Sequence, residues 1–260
     1  MSEVSAIGGV SMLGGPAADA GSAIRLYNNP SADYAAKVQA TVALLKAAAI
    51  EHPGKVVQAT SLGVEDMIVT DLIARHQLPI AIGTLETGML NPETAALIGT
   101  IETHYADAGL HVEVYRPKNE AVIEFVGQHG EKAMYESIDL RKACCGIRKL
   151  EPLARMLADR TAWITGLRRE QSNNRGGMLD REVDDAGRAK FNPMIEWTWG
   201  DVWHYVAVNH VPYNPLHDQF MPSIGCAPCT RAIAVGEDFR AGRWWWEDEK
   251  AKECGLHVHK

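Results

Sequence analysis

From Ala32 to Ile50 the apolar residues recur at helical spacing in an alanine-rich stretch, and Pro53-Gly54 supplies the stop, so a helix is predicted there. Val56-Val57-Gln58-Ala59-Thr60-Ser61 reads as a short buried strand, followed by a turn at Gly63 and an amphipathic helix from Val64 to Arg75. Leu78 to Ile82 predicts a second strand and Glu86-Thr87-Gly88 a loop. Pro92 opens a further helix, in whose first turn a proline has no hydrogen bond to lose. A third strand at His111 to Tyr115 completes an alternation that implies parallel strands, since parallel neighbours need crossover connections. A helix from Ile147 to Leu157 and a strand at Trp163-Ile164-Thr165-Gly166 continue it. Arg168 to Lys190, polar and charge-rich, predicts a mobile loop over a ligand site. From Asn192 onward Trp, Pro, Gly and Cys dominate, which predicts an irregular cap and tail without a clear strand. The expected fold is α/β: a parallel twisted sheet flanked by helices, with an irregular, cysteine-containing C-terminal cap and a mobile tail.

Composition narrows this picture. The 260 residues, 46% of them hydrophobic, suffice for one sizeable core. Residues 1–25, rich in Gly, Ala and Ser, predict a flexible N-terminal segment; 26–240 form the domain and 241–260 the tail. The net charge of -7 argues against a nucleic-acid-binding surface, which needs clustered Lys and Arg, although a few local arginines can still hold a small anion. There is no internal repeat, no apolar run long enough for a membrane span and no basic region ahead of an apolar stretch at the start. A cytoplasmic, soluble protein is therefore expected, with self-association left open.

The five cysteines are an odd number in a chain without an export signal, which points to metal ligation or redox chemistry. Cys144 and Cys145 are adjacent, and Cys226-Ala227-Pro228-Cys229 forms a second pair. Four thiolates are enough for a tetrahedral zinc or an iron-sulfur cluster. Neighbouring cysteines converge on one small ion less easily than they take separate irons, so the spacing favours a cluster; zinc and buried or disulfide-linked thiols are the alternatives. Cys254, in Glu253-Cys254-Gly255-Leu256-His257, sits in a polar terminal segment suited to movement. A mobile thiol near cations is a nucleophile, the alternative being an incidental tail thiol.

Six motifs, in order from about Val57 to the C-terminus, resemble the assimilatory adenylylsulfate reductases and their phosphoadenylylsulfate relatives. They are Ser61-Leu62-Gly63-Val64-Glu65-Asp66, Leu85-Glu86-Thr87-Gly88, Cys144-Cys145-Gly146-Ile147-Arg148-Lys149, Thr165-Gly166-Leu167-Arg168-Arg169-Glu170-Gln171-Ser172, Gly225-Cys226-Ala227-Pro228-Cys229 and the Cys254 segment. The resemblance implies a fold of the adenine-nucleotide hydrolase type and a 4Fe-4S cluster on Cys144, Cys145, Cys226 and Cys229. It further implies a catalytic Cys254, thioredoxin as electron donor, and substrate contacts from Ser61, Gly63, Leu85, Arg148, Gly166 and Arg168. Within the family the paired-cysteine set accompanies use of adenosine 5'-phosphosulfate, whereas reductases of the 3'-phosphorylated nucleotide lack it. One departure is Glu86, where the family pattern more often has Asp.

The chemistry assigns roles to residues. Displacement at sulfur by a thiolate leaves AMP and an S-sulfocysteine, and the developing charge needs fixed cations, for which Lys149, Arg240 and Arg243 are the candidates, with Arg168, Arg169 and Arg175 closing from the loop. The Ser61-Leu62-Gly63 turn offers backbone N-H groups and a helix N-terminus to a phosphate, and it lacks the lysine of a triphosphate-binding loop. No resolving cysteine accompanies Cys254, so an external dithiol such as thioredoxin is required. His257 is a candidate to tune the thiolate, and packing of the cap accounts for Trp244-Trp245-Trp246. The rival readings are a reductase of the 3'-phosphorylated nucleotide and a non-catalytic redox sensor.

Overall fold

The computed structural model describes residues 22–172 and 177–248. The chain enters through α1 (Ala23–Tyr27) and α2 (Tyr34–Glu51). It then alternates through β1 (Val56–Thr60), α3 (Val64–Arg75), β2 (Ala81–Leu85), α4 (Pro92–His104) and β3 (Val112–Tyr115). Two helices, α5 (Asn119–His129) and α6 (Ile138–Cys145), lead through a π-helical turn at Gly146–Leu150 into α7 (Glu151–Met156). β4 (Ala162–Ile164), a hairpin of β5 (Arg181–Val183) and β6 (Ala189–Phe191), and α8 (Trp199–Asn209) precede a cap of short turns.

The six strands are ordered β3-β2-β1-β4-β6-β5, parallel except for β5 against β6. β1 is central because Val56, Val57 and Gln58 are buried whichever face they point to. From β1 the chain winds outward to β3 and then returns to β4 on the other side of β1. This topological reversal opens a crevice at the C-terminal ends of β1 and β4, where such sheets bind ligands. One face of the sheet packs the main core, in which Leu45, Met67, Ile68 and Trp203 are fully buried. The other packs Val57, Met156, Leu157 and Trp163. Gly83 is required here, since a Cβ would lie 2.9 Å from the Met156 sulfur.

The α/β expectation holds, with local corrections. β2 begins later than Leu78 because Leu78 N-H still bonds to Ile73 O at the end of α3, and Pro79 has no N-H to offer a ladder. Arg168 to Lys190 is not a loop throughout: Asp184 accepts from Ala186 N, Arg188 N and Arg188 Nε, and Gly187 at φ 80° closes the β5–β6 turn. The region after Asn192 is not irregular throughout: it contains α8, which opens on a capping box, Thr198 Oγ1 accepting from Asp201 N while Asp201 Oδ2 accepts from Thr198 N. The predicted helix at Ile147 instead belongs to a longer run that begins at Ile138. The first described residues are docked, with Ala23 buried and its N-H donating to Asp218 Oδ1 at 2.7 Å. Trp244 and Glu247, assigned to a mobile tail, are also held in the body.

Asp201 ties the N-terminal segment to this frame. Oδ1 accepts from Ser31 N and Oγ at 2.7 Å, and Oδ2 from Lys37 Nζ at 3.0 Å. Burial opposes its ionisation, but the donors from Thr198, Ser31 and Lys37 outweigh it and hold the carboxyl well below the ordinary range. Asp201→Ala should cost about 3 kcal/mol near neutral pH, because several buried donors lose their acceptor. The wild-type advantage should be full above the unfolded-state pKa and fade as pH falls through the depressed folded value. Urea denaturation of both proteins at about pH 7 and about pH 3 checks this; an equal gap at both would refute it.

Candidate active site

The crevice is walled by the ends of the two central strands, Thr60-Ser61 at the end of β1 and Thr165-Gly166 just past β4, with Leu85 at the end of β2. Its floor is apolar where Ala59, Leu153, Met156 and Trp163 meet. Its cationic lip is the cysteine side: Lys149 from the π-helical turn and Arg240 and Arg243 from the cap line the crevice with Gly225 and Cys226. Lys149 and Arg243 both act on the Cys226 thiol, and both arginines lie over Trp244. The π turn matters: one wider turn between α6 and α7 carries Lys149 into the cleft while Cys144 and Cys145 stay on α6.

Two carboxylates at the start of α3 organise the strand ends. Asp66 Oδ2 accepts from Ser61 N at 2.7 Å and Ser61 Oγ at 2.6 Å. Gly166 presses so closely on Asp66 that a Cβ there would sit 2.5 Å from Oδ1. Burial pushes the Asp66 carboxyl up to about 6 against the lowering effect of the Ser61 bonds. Glu65 Oε1 accepts from Arg168 Nε at 2.9 Å and Gln171 Nε2 at 2.8 Å, so the loop after β4 is anchored through a buried ion pair.

The four predicted cysteines come together. Cys144, Cys226 and Cys229 share a buried cluster with Phe125, Met134 and Trp244, and Cys145 borders it, half-buried; none is in a disulfide. Thr87 Oγ1 lies 3.3 Å from Cys226 Sγ, and Arg148 Nη1 donates to Thr87 O at 2.8 Å, which ties the Leu85–Gly88 segment to this corner. Burial and the neighbouring Cys226 push the Cys229 thiol up to about 12. Cys226 is lowered despite burial, by Lys149, Thr87 and Arg243. Among the described residues no group of three or more His, Cys, Asp or Glu is arranged to hold a single metal ion. The Trp244 indole N-H is buried in this cluster without a hydrogen-bond partner among the described residues.

Comparison with known proteins falls on this same span. Residues 55–232 match the model of the phosphoadenosine phosphosulfate reductase domain. The chain belongs to that family. It is 54% identical over 203 residues to an adenosine 5'-phosphosulfate reductase of Allochromatium vinosum, covering 78% of each chain. A Burkholderia cepacia protein of the same name is 50% identical over 87% of this chain and 89% of its own. The crystal structure of a phosphoadenylyl-sulfate reductase from Candida auris, a phosphate complex, superimposes with a TM-score of 0.61 at 26% identity, covering 74% of this chain and 90% of that one. The chain is thus an oxidoreductase-family protein with the expected α/β fold.

Against this family frame the predicted site residues divide. Ser61, Leu85, Lys149, Gly166, Arg240 and Arg243 line the cleft. Gly63, Arg148 and Arg168 do not. Gly63 caps α3 without a side-chain cap; at its turn Ser61 N is bonded to Asp66 and Leu62 N to Thr60 Oγ1, and Glu65 and Asp66 stand in the first helical turn. Arg148 is turned to Thr87, and Arg168 lies buried behind the wall with Glu65. Arg169 pairs with Glu196 at 2.9 Å. Glu86 accepts from Gly88 N at 2.8 Å and pairs with Arg116, so its longer side chain stays local. Cys254, His257 and Arg175 lie outside the described residues. Sequence reasoning assigned no role to Glu65, Asp66, Thr87 or Gln171; the available signal was a pair of carboxylates opening an otherwise apolar helix.

Asp66 gives a pH test. Its folded pKa near 6 stands above the ordinary 3.8, so the folded protein holds this proton more tightly than the unfolded chain. Its contribution to stability is therefore full below the ordinary value and is lost as pH rises to about 6, by on the order of 3 kcal/mol. Measured by denaturation at about pH 4 and about pH 7, wild type should lose that much relative to Asp66→Asn; a pH-independent difference would contradict the shift.

Proposed function

We propose that this chain reduces adenosine 5'-phosphosulfate to sulfite and AMP in cytoplasmic assimilatory sulfate reduction, with Cys254 as nucleophile and thioredoxin as reductant. The observation that carries the proposal is the placing of Lys149, Arg240 and Arg243 on one lip of a strand-end cleft, next to the cysteine corner. Further support comes from the relatives named adenosine 5'-phosphosulfate reductase and from the complete paired-cysteine set.

In this reading the nucleotide's base takes the apolar floor and its phosphosulfate the cationic lip. The Cys254 thiolate attacks sulfur, an S-S bond forms, and the S-O bond to the phosphate breaks with its electron pair going to AMP. Lys149, Arg240 and Arg243 meet the charge that develops on the departing phosphate. A thioredoxin thiolate then attacks Cys254 Sγ and expels sulfite with the S-S electron pair. The second thioredoxin thiol resolves the mixed disulfide, so both electrons come from the dithiol. His257 is the candidate to assist the Cys254 thiolate.

Cys144, Cys145, Cys226 and Cys229 would hold a 4Fe-4S cluster. The donor set fits it: thiols without disulfides, cations that favour the Cys226 thiolate, and a buried indole N-H without an acceptor among the described residues. Such a group, when bound, supplies a structural cross-link and a fixed local charge beside Lys149. The reading in which the 3'-phosphorylated nucleotide is the substrate draws on the name of the matched domain model and on the Candida auris structure, the latter at lower identity, and turnover on the two nucleotides separates the two.

Incubation with adenosine 5'-phosphosulfate without reductant should leave a sulfite adduct on Cys254 detectable by peptide mass, and Cys254→Ser should show neither adduct nor sulfite release. Persistence of native sulfite release in that variant would overturn the proposal. Lys149→Ala should lower kcat by about 10²–10³, the usual cost of one preorganised donor; unchanged turnover would remove Lys149 from the mechanism.

A further inference from the structure

A second ion pair, remote in sequence, lies behind the cationic lip. Arg141 on α6 holds Glu247 with both prongs of its guanidinium, Nε to Oε1 at 2.7 Å and Nη2 to Oε2 at 2.8 Å. The two side chains are 1% and 3% exposed, so this is a desolvated fork rather than a surface contact. The Arg141 guanidinium also lies over the Trp244 ring at 4.5 Å, and the same ring carries Arg243 at 4.7 Å and Arg240 at 5.9 Å. The indole is thus a plate on which one structural arginine and the two cleft arginines are arranged.

Three features show that this arrangement is imposed. Trp244 has φ 43°, a left-handed conformation that a bulky L-residue keeps only when its surroundings over-determine it. Glu247 N bonds to Trp244 O and Arg243 Nε to Cys229 O, so the segment is pinned on both sides of the plate. Gly225 lies so close under the Arg243 guanidinium that a Cβ would meet it at 2.3 Å, so the absence of a side chain there is what lets the guanidinium lie against the backbone at the cleft. Guanidinium groups gathered on one ring repel each other, and Glu247 is the carboxylate that offsets the innermost of them.

We infer that Arg141 and Glu247 are positioning residues for the anion-binding end of the cleft: by clamping the Trp244 plate they set where Arg240 and Arg243 present their charge to a bound phosphate. The inference rests on the nucleotide reading of the cleft and extends it to two residues outside the cleft. A clamp that served folding alone would weaken every ligand equally or none. A positioning clamp acts on the phosphate and spares the nucleoside, because the apolar floor at Met156 and Trp163 is built from other elements.

The test compares AMP with adenosine by calorimetric titration of the full chain, for wild type, Arg141→Lys and Glu247→Gln, with melting temperatures measured alongside. Arg141→Lys keeps the charge and loses the fork and the flat stacking surface. Both variants should bind AMP about tenfold more weakly while adenosine affinity stays within about twofold. An AMP-to-adenosine ratio that is unchanged would overturn the inference, as would a ratio raised in Glu247→Gln, which would make Glu247 a simple opposing charge. If one variant does not fold, the other decides alone by the same criterion. A wild-type protein that binds no AMP would instead sink the nucleotide reading, and the clamp with it.

Discussion

A helix buried along eleven consecutive residues, Val64 to Ala74, forces its own carboxylates to find partners inside the protein. Unpaired charge in that environment would cost more than the fold can spare. Asp71 takes Arg75 Nε at 2.6 Å and the hydroxyls of Tyr205 at 2.7 Å and Tyr105 at 3.1 Å, joining α3 to α4 and α8. Burial and the adjacent Asp71 push both tyrosines far above the ordinary phenol range, so they stay donors. Glu65 takes Arg168 and Gln171, and Asp66 takes Ser61. The same requirement that stabilises the core therefore shapes two walls of the cleft.

The cleft solves an electrostatic problem for a chain of net charge -7. Its positive groups are not spread over the surface but drawn to one lip from two distant stretches, the π turn and the cap. At the start of α3 the Ser61 N-H and hydroxyl are taken by Asp66, and Glu65 and Asp66 stand in the first turn. The cations that line the cleft are instead side chains, of which Arg243 is fixed by the Cys229 carbonyl and the Trp244 ring.

The cysteine corner joins segments that are far apart in the chain. The Leu85–Gly88 loop reaches it through Thr87, α6 through Cys144 and Cys145, and the cap through Cys226, Cys229 and Trp244. Ala227 N-H donates to Met89 O at 2.7 Å, so even the backbone stitches the first and last of these together. Arg141 precedes Cys144 by about one helical turn, so half of the sulfur set and the arginine of the buried ion pair lie on one element, α6.

Local patterning was enough to reveal strands β1 to β4, helices α2, α3 and α4 and the candidate sulfur set, though not α5 or α6, because burial on a pleated or helical surface leaves a periodic trace and cysteine pairs leave a spacing. The β5–β6 hairpin and α8 were obscured, since three-residue strands and a Trp-rich amphipathic helix carry too few positions to establish a period. What no pattern could reveal is direction. Arg168, Arg148 and Lys149 look alike in sequence, yet one pairs with Glu65 in the core, one turns to a carbonyl, and one faces the cleft. The choice among them depends on which carboxylates and carbonyls the fold brings within a few ångströms, and those partners come from elsewhere in the chain.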